Sequence, residues 1–185
     1  MVTNEQLKGT FGELDVFCVP ESALRDEILH PGARETLMNT GIPGQLGNVL
    51  VISESITNEG TDGVAAYDDS DLPAPSDPLA VFYRLASAAG GDVCLDGNTG
   101  EVFFVKGDYD PPVSRINTSL EHFIECMFVI EREISLVDPP EDPEHSSPLL
   151  RDLVAKVTLV DDEVIAGPAM FWQQVISFYL QELAG

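Results

Sequence analysis

Two places in this chain hold residue types that do chemistry at spacings that matter. The first is CLDGNTGEVFFV, residues 94–105, where Asp96, Gly97, Asn98, Thr99 and Gly100 follow one another. Such a run can cradle a phosphate, ligate calcium or turn a hairpin. A phosphate loop opens a helix and carries a Lys in the pattern GxxxxGK[ST]. Here a β-prone run follows, and Lys106 lies beyond it. A calcium loop of the EF-hand kind wants Gly sixth and Glu twelfth, but counted from Asp96 those positions hold Glu101 and Gly107. Turn chemistry remains. VCL (93–95) and EVFFV (101–105) are two β-prone runs around a cluster of turn formers, which predicts a hairpin.

The second place is His122 and Cys126, four apart in a helix-like run, so that their side chains could touch. A Cys–His couple can make a nucleophile. Cys126, however, sits beside the apolar face of that run, where a buried inert thiol is far commoner than a catalytic one.

Other candidates fall away on spacing. His30, His122 and His145 form no HxxxH or HExxH pair, which argues against a zinc or iron site built on His and Cys. No GxSxG elbow occurs. GIPGQLG (41–47) lacks the GxGxxG spacing and a strand before it. DDSD (68–71) could gather a divalent cation, but with no further ligands in prospect it reads as a solvated acidic loop. The carboxylates are too numerous to single out an acid–base pair. The expectation is a protein without catalytic residues, metal or cofactor.

The elements that would carry these residues can be read along the chain. LDVFCV (14–19) predicts a short strand ended by Pro20, and ESALRDEIL (21–29) a short helix stopped by Pro31. PGARETLMNTG places Pro31 near a helix start and Gly41 just past its end. GIPGQLG is then an irregular connection into a strand, NVLVIS (48–53). Residues 54–78 are acidic and rich in Gly and Pro, a surface loop with room for a short strand at VAAY (64–67). LAVFYRLASAAGG (79–91) reads equally as a strand and turn or as a buried helix.

After the hairpin, GDYDPPVSRI (107–116) returns toward the core. NTSLEHFIECMFVIEREIS (117–135) is a helix, with Thr118 and Glu121 as a T-x-x-E capping box. Its Leu120, Phe123, Ile124, Met127, Phe128 and Ile134 share one face. VDPPEDPEHSSP (137–148) is a second acidic loop, and LLRDLVAKV (149–157) a helix. A last helix begins at Pro168, with Trp172, Val175, Ile176, Tyr179 and Leu183 inward.

The bulk numbers set limits on function. Across 185 residues, 32 acids against nine bases leave a formal charge of -23, and 44% hydrophobic residues supply a core. No Lys or Arg lies between Arg34 and Arg84, between Arg132 and Arg151, or after Lys156. Direct nucleic-acid binding is disfavoured, because phosphate affinity comes from Lys and Arg displacing counterions. Anionic membrane surfaces are disfavoured for the same reason. Acidity of this degree serves solubility or steers a basic protein partner. Cys18, Cys94 and Cys126 form no CxxC pair and read as reduced, mostly buried thiols. MVTNEQLKGTFGEL lacks the apolar core of a signal peptide, and no run nears 18 apolar residues. The expected setting is the cytoplasm, and the expected organisation a single domain over 1–185.

The order of motifs carries a resemblance. A helix ending in a Gly-hydrophobic-Pro step (ARETLMNTGIP) precedes a strand, and a hairpin has its second strand after "tG-E-V" (VCLDGNTGEVFFV). An N-[ST]-S-L helix (INTSLEHFIECMFVI) and an aromatic-Trp step (MFWQQVI) follow. Over residues 11–178 this resembles the SUKH superfamily, most closely its fourth family. The resemblance implies an α+β fold with a central, largely antiparallel sheet and flanking helices. It implies an immunity protein of a polymorphic toxin system, and it carries no catalytic residues. Gly100 matches the turn glycine, Asn117 and Ser119 the start of the helix, and Trp172 the C-terminal core aromatic.

On that basis the expected partner is a cognate toxin domain; for a nuclease or deaminase toxin, its substrate groove is basic and an acidic ligand fills it as a phosphate mimic. The expected contacts are Asp62, Asp68, Asp69, Asp71 and Asp77 of the first acidic loop, with Asp138, Glu141, Asp142 and Glu144 of the second. The alternative is an intracellular scaffold or regulator that binds endogenous proteins with the same fold.

Overall fold

Thr3 opens a helix that the sequence reading passed over. Its Oγ1 accepts from the Gln6 N–H at 3.3 Å, and the Gln6 side chain accepts from the Thr3 N–H at 2.9 Å, a reciprocal capping box for α1 (Asn4–Phe11). The computed structural model describes residues 1–24, 26, 28–52, 82–106, 113–136, 146–162 and 169–184. The strand expected over 14–19 shrinks to β1 (Val16–Phe17), because the chain bends beyond it and the Val19 N–H donates to Leu37 O at 2.9 Å.

The helix expected over 21–29 is replaced by one 3-10 turn, Glu21–Ala23, which Leu24 ends in extended backbone (φ -74, ψ 136). The reason is tertiary. The Leu29 and His30 N–H groups are both taken by Gly97 O at 2.8 Å, so they serve a distant hairpin rather than a local helix. α2 (Pro31–Glu35) follows and runs straight into one π-helical turn, Thr36–Thr40, closed by Gly41 at φ +81. The predicted Pro31 and Gly41 termini hold. GIPGQLG is more regular than expected, forming β2 (Ile42–Pro43) and β3 (Gln45–Leu46).

β1 pairs antiparallel with β2, and a separate sheet takes the order β3-β4-β5-β6-β7-β8. Its remaining strands are β4 (Leu50–Ile52), β5 (Phe82–Ala88), β6 (Gly91–Asp96), β7 (Val102–Val105) and β8 (Val113–Asn117). Every neighbouring pair in it is antiparallel. The ambiguous 79–91 run is thus a strand, paired on both sides, with a turn at Ala89 and Gly90 in left-handed backbone. A bulge between Arg84 and Ala86 turns Leu85 and Ala86 both inward.

Three long helices complete the core: α3 (Leu120–Ile134), α4 (Ser146–Val160) and α5 (Ala169–Ala184). The predicted apolar face of α3 is buried throughout. Phe171 of α5 lies 5.0 Å from Phe104 of β7, and Trp172 lies 5.4 Å from Phe123 of α3. α5 therefore meets both the sheet and α3, and the buried side chains form one continuous cluster. Leu183 is exposed rather than inward, one turn past the last buried pair of α5, Tyr179 and Leu180. The second acidic loop is shorter than expected, because α4 already includes Ser146 to Pro148. Pro168 and the VAAY segment lie outside the described residues. The fold is α+β with an antiparallel six-stranded sheet.

Candidate functional site

The hairpin turn is a joint between elements. Asp96 folds back on its own loop, and its Oδ1 accepts from the Asn98 N–H at 2.8 Å and the Thr99 N–H at 3.2 Å. Gly100 takes φ +77 there, and a Cβ on it would collide with the His30 ring. The same turn offers Gly97 O to the chain entering α2, and Gly100 O to the Leu120 N–H at 2.9 Å at the start of α3. Turn chemistry explains every one of these residues.

A buried polar cluster lies where β8 meets α3. Asp161, just past α4 and only 3% exposed, points Oδ2 at this junction. That oxygen accepts from Asn117 Nδ2 at 3.1 Å, from the Thr118 N–H at 2.8 Å and from Thr118 Oγ1 at 3.1 Å. The Trp172 indole N–H donates to Asn117 Oδ1 at 3.1 Å, and Asn117 Nδ2 also reaches Cys126 Sγ at 3.6 Å. The His122 Nδ1 lies 2.9 Å from Thr118 Oγ1 and 3.5 Å from Asp161 Oδ2. With the single Thr118 hydroxyl proton committed to Asp161, the network assigns the Nδ1 proton to His122.

This geometry corrects two expectations. The N-cap of α3 is Ser119, whose Oγ accepts from the His122 N–H at 3.1 Å, so Thr118 and Glu121 make no capping box. Thr118 is drawn away by a carboxylate 43 positions later. Asn117 likewise caps nothing; it is a buried bridge between α5, α3 and the end of α4.

The arrangement holds strands and helices together and leaves no nucleophile. His122 is engaged by Thr118 and Asp161, while the Cys126 sulfur is engaged by Asn117. Burial pushes the Cys126 thiol well above its ordinary range, against a smaller lowering by the Asn117 hydrogen bond. The thiolate needed for attack is thereby suppressed. Burial also pushes Cys94 up to about 12, with the Asp92 charge adding to it. Cys18 is exposed. Among the described residues, no three His, Cys, Asp or Glu side chains converge on a metal position.

The sequence-predicted contact residues Asp62, Asp68, Asp69, Asp71 and Asp77, and Asp138, Glu141, Asp142 and Glu144, lie outside the described residues. The chain leaves the sheet for the first group after β4 and re-enters at β5; the second group falls between α3 and α4. Sequence reasoning missed Asp161, whose only local signal is one more acidic pair in an acidic chain. It also missed the exposed apolar pair Leu14 and Phe17.

An α+β chain with an antiparallel meander, a helical layer and a buried polar joint is the class that these elements define. Residues 2–178 match the SUKH-4 immunity protein family, and the chain belongs to that family. Comparison with curated proteins and with solved structures returned no match. No helix among the described residues is long and apolar enough to cross a membrane.

Proposed function

We propose that this chain is a non-catalytic immunity protein that acts in the cytoplasm as one domain, binding and neutralising a cognate polymorphic toxin domain. The observation that carries this is family membership over residues 2–178. A net charge of -23 supports a basic partner, and a toxin whose substrate is a nucleic acid or nucleotide would present a basic groove to it. Asp62, Asp68, Asp69, Asp71 and Asp77 form one acidic group without a base among them, and Asp138, Glu141, Asp142 and Glu144 form another. Both are proposed to engage the toxin's basic groove in place of phosphate.

Affinity capture from the native organism's extract, at low and moderate salt with mass spectrometry, tests the reading. One dominant partner with a toxin-like C-terminal domain is the expected result. Several housekeeping proteins would favour a scaffold or regulator instead. Replacing Asp68, Asp69 and Asp71 with Asn should slow association about tenfold and flatten its salt dependence. An unchanged rate and salt slope would remove the first acidic loop from the interface.

A further inference from the structure

Of the large apolar side chains left exposed, Leu14 and Phe17 stand three residues apart on one short segment, 88% and 53% exposed. Phe17 is the most exposed aromatic among the described residues. The segment is held firmly from below. The Asp15 N–H donates to Gly12 O at 3.3 Å, and Asp15 O accepts from the Gly44 N–H at 2.8 Å. Phe17 pairs with Ile42 across β1 and β2, and Val16 and Val19 on either side of it are buried. The Phe17 ring lies directly over Gly44, where a Cβ would come within 2.7 Å of it. An apolar pair presented on a fixed backbone loses little freedom when a partner covers it.

Charge frames the same surface. Glu13 and Asp15, on either side of Leu14 in the chain, are exposed, and no Lys or Arg lies between Lys8 and Arg25 in the sequence. An exposed aromatic anchor with carboxylates nearby in the chain fits the anatomy of an interface centre with a polar edge.

We propose that Leu14 and Phe17, flanked by Glu13 and Asp15, form a docking surface for the cognate toxin domain, filling an apolar pocket in a positively charged face. This rests on the proposed immunity function and adds a second contact to the acidic groups already named. The two contacts divide the kinetics. Carboxylates far from any base steer association, and a buried aromatic anchor governs how long the complex lasts.

The test runs the capture experiment in parallel with wild type, Phe17→Ala, Leu14→Arg and Asp68→Asn/Asp69→Asn/Asp71→Asn full-length chains, each shown to match wild type in Tm. The toxin domain retained by wild type is then purified and its kinetics measured against all four. Phe17→Ala should raise the dissociation rate about 30-fold with an unchanged salt slope. Leu14→Arg, which sets a cation against a cationic face, should lose at least as much. If both variants keep wild-type dissociation, the docking surface is overturned while the immunity reading stands. If wild type retains no basic toxin domain, both fall together.

Discussion

Burial decides what the thiols of this protein can do. Cys94 ordinarily would ionise near 9.0, but inside the sheet its thiol is pushed up to about 12, with Asp92 adding to the effect. Burial raises Cys126 and Tyr179 in the same direction, and for Tyr179 the hydrogen bond to Glu131 reinforces it. Each group is held protonated in the folded state and ionises more readily when unfolded. The stability this contributes is complete below the unfolded pKa and is lost as pH climbs through the folded one. Urea midpoints should therefore fall between about pH 9 and 12, and Cys94→Ala should flatten part of that decline. A native-state alkylation at pH 8 should modify Cys18 alone, since it is the exposed thiol of the three.

Between elements, the load falls on two joints that tie short loops to helix ends. The hairpin turn gives its carbonyls to the starts of both α2 and α3, so it fixes where those helices begin. Gly100→Ala tests that joint. The left-handed backbone at φ +77 costs an L residue about 1–2 kcal/mol, and the new Cβ must also displace the His30 ring. A total loss of about 2–4 kcal/mol by urea unfolding is expected. A loss under about 0.5 kcal/mol would mean that the turn relaxes freely and is no joint. The second joint, at Asp161, works by the same logic with side chains: one buried carboxylate satisfies donors from the end of β8 and the start of α3.

Across the whole molecule, self-repulsion opposes the fold. A charge of -23 on 185 residues is only partly offset by local pairs such as Arg115–Glu101 and Lys156–Glu133. Long-range repulsion is screened over about 8–10 Å at moderate salt, while short hydrogen-bonded contacts are screened less. Tm should rise by several degrees between about 10 mM and 150 mM salt. A Tm that fell with salt would mean that local ion pairs outweigh the global repulsion. The same screening weakens steering of a basic partner, so stability and association rate should move in opposite directions as salt is added.

Local pattern was enough for the parts of this protein that are locally determined. The helical face of α3, the hairpin around Gly100 and the Pro31 and Gly41 helix limits all follow from spacing within a few residues, because turn geometry and apolar periodicity act at that range. The acidity was legible as well. Long-range contacts decided the rest. Thr118 looked like a cap until Asp161 claimed it, and residues 21–29 looked helical until Gly97 took the N–H groups of Leu29 and His30. The exposed pair Leu14 and Phe17 stood in a run that reads as an ordinary strand. Only the pairing of β1 with β2 showed which side chains face out. A hydrogen-bonding group takes whichever partner the folded chain brings nearest, and sequence distance does not measure that.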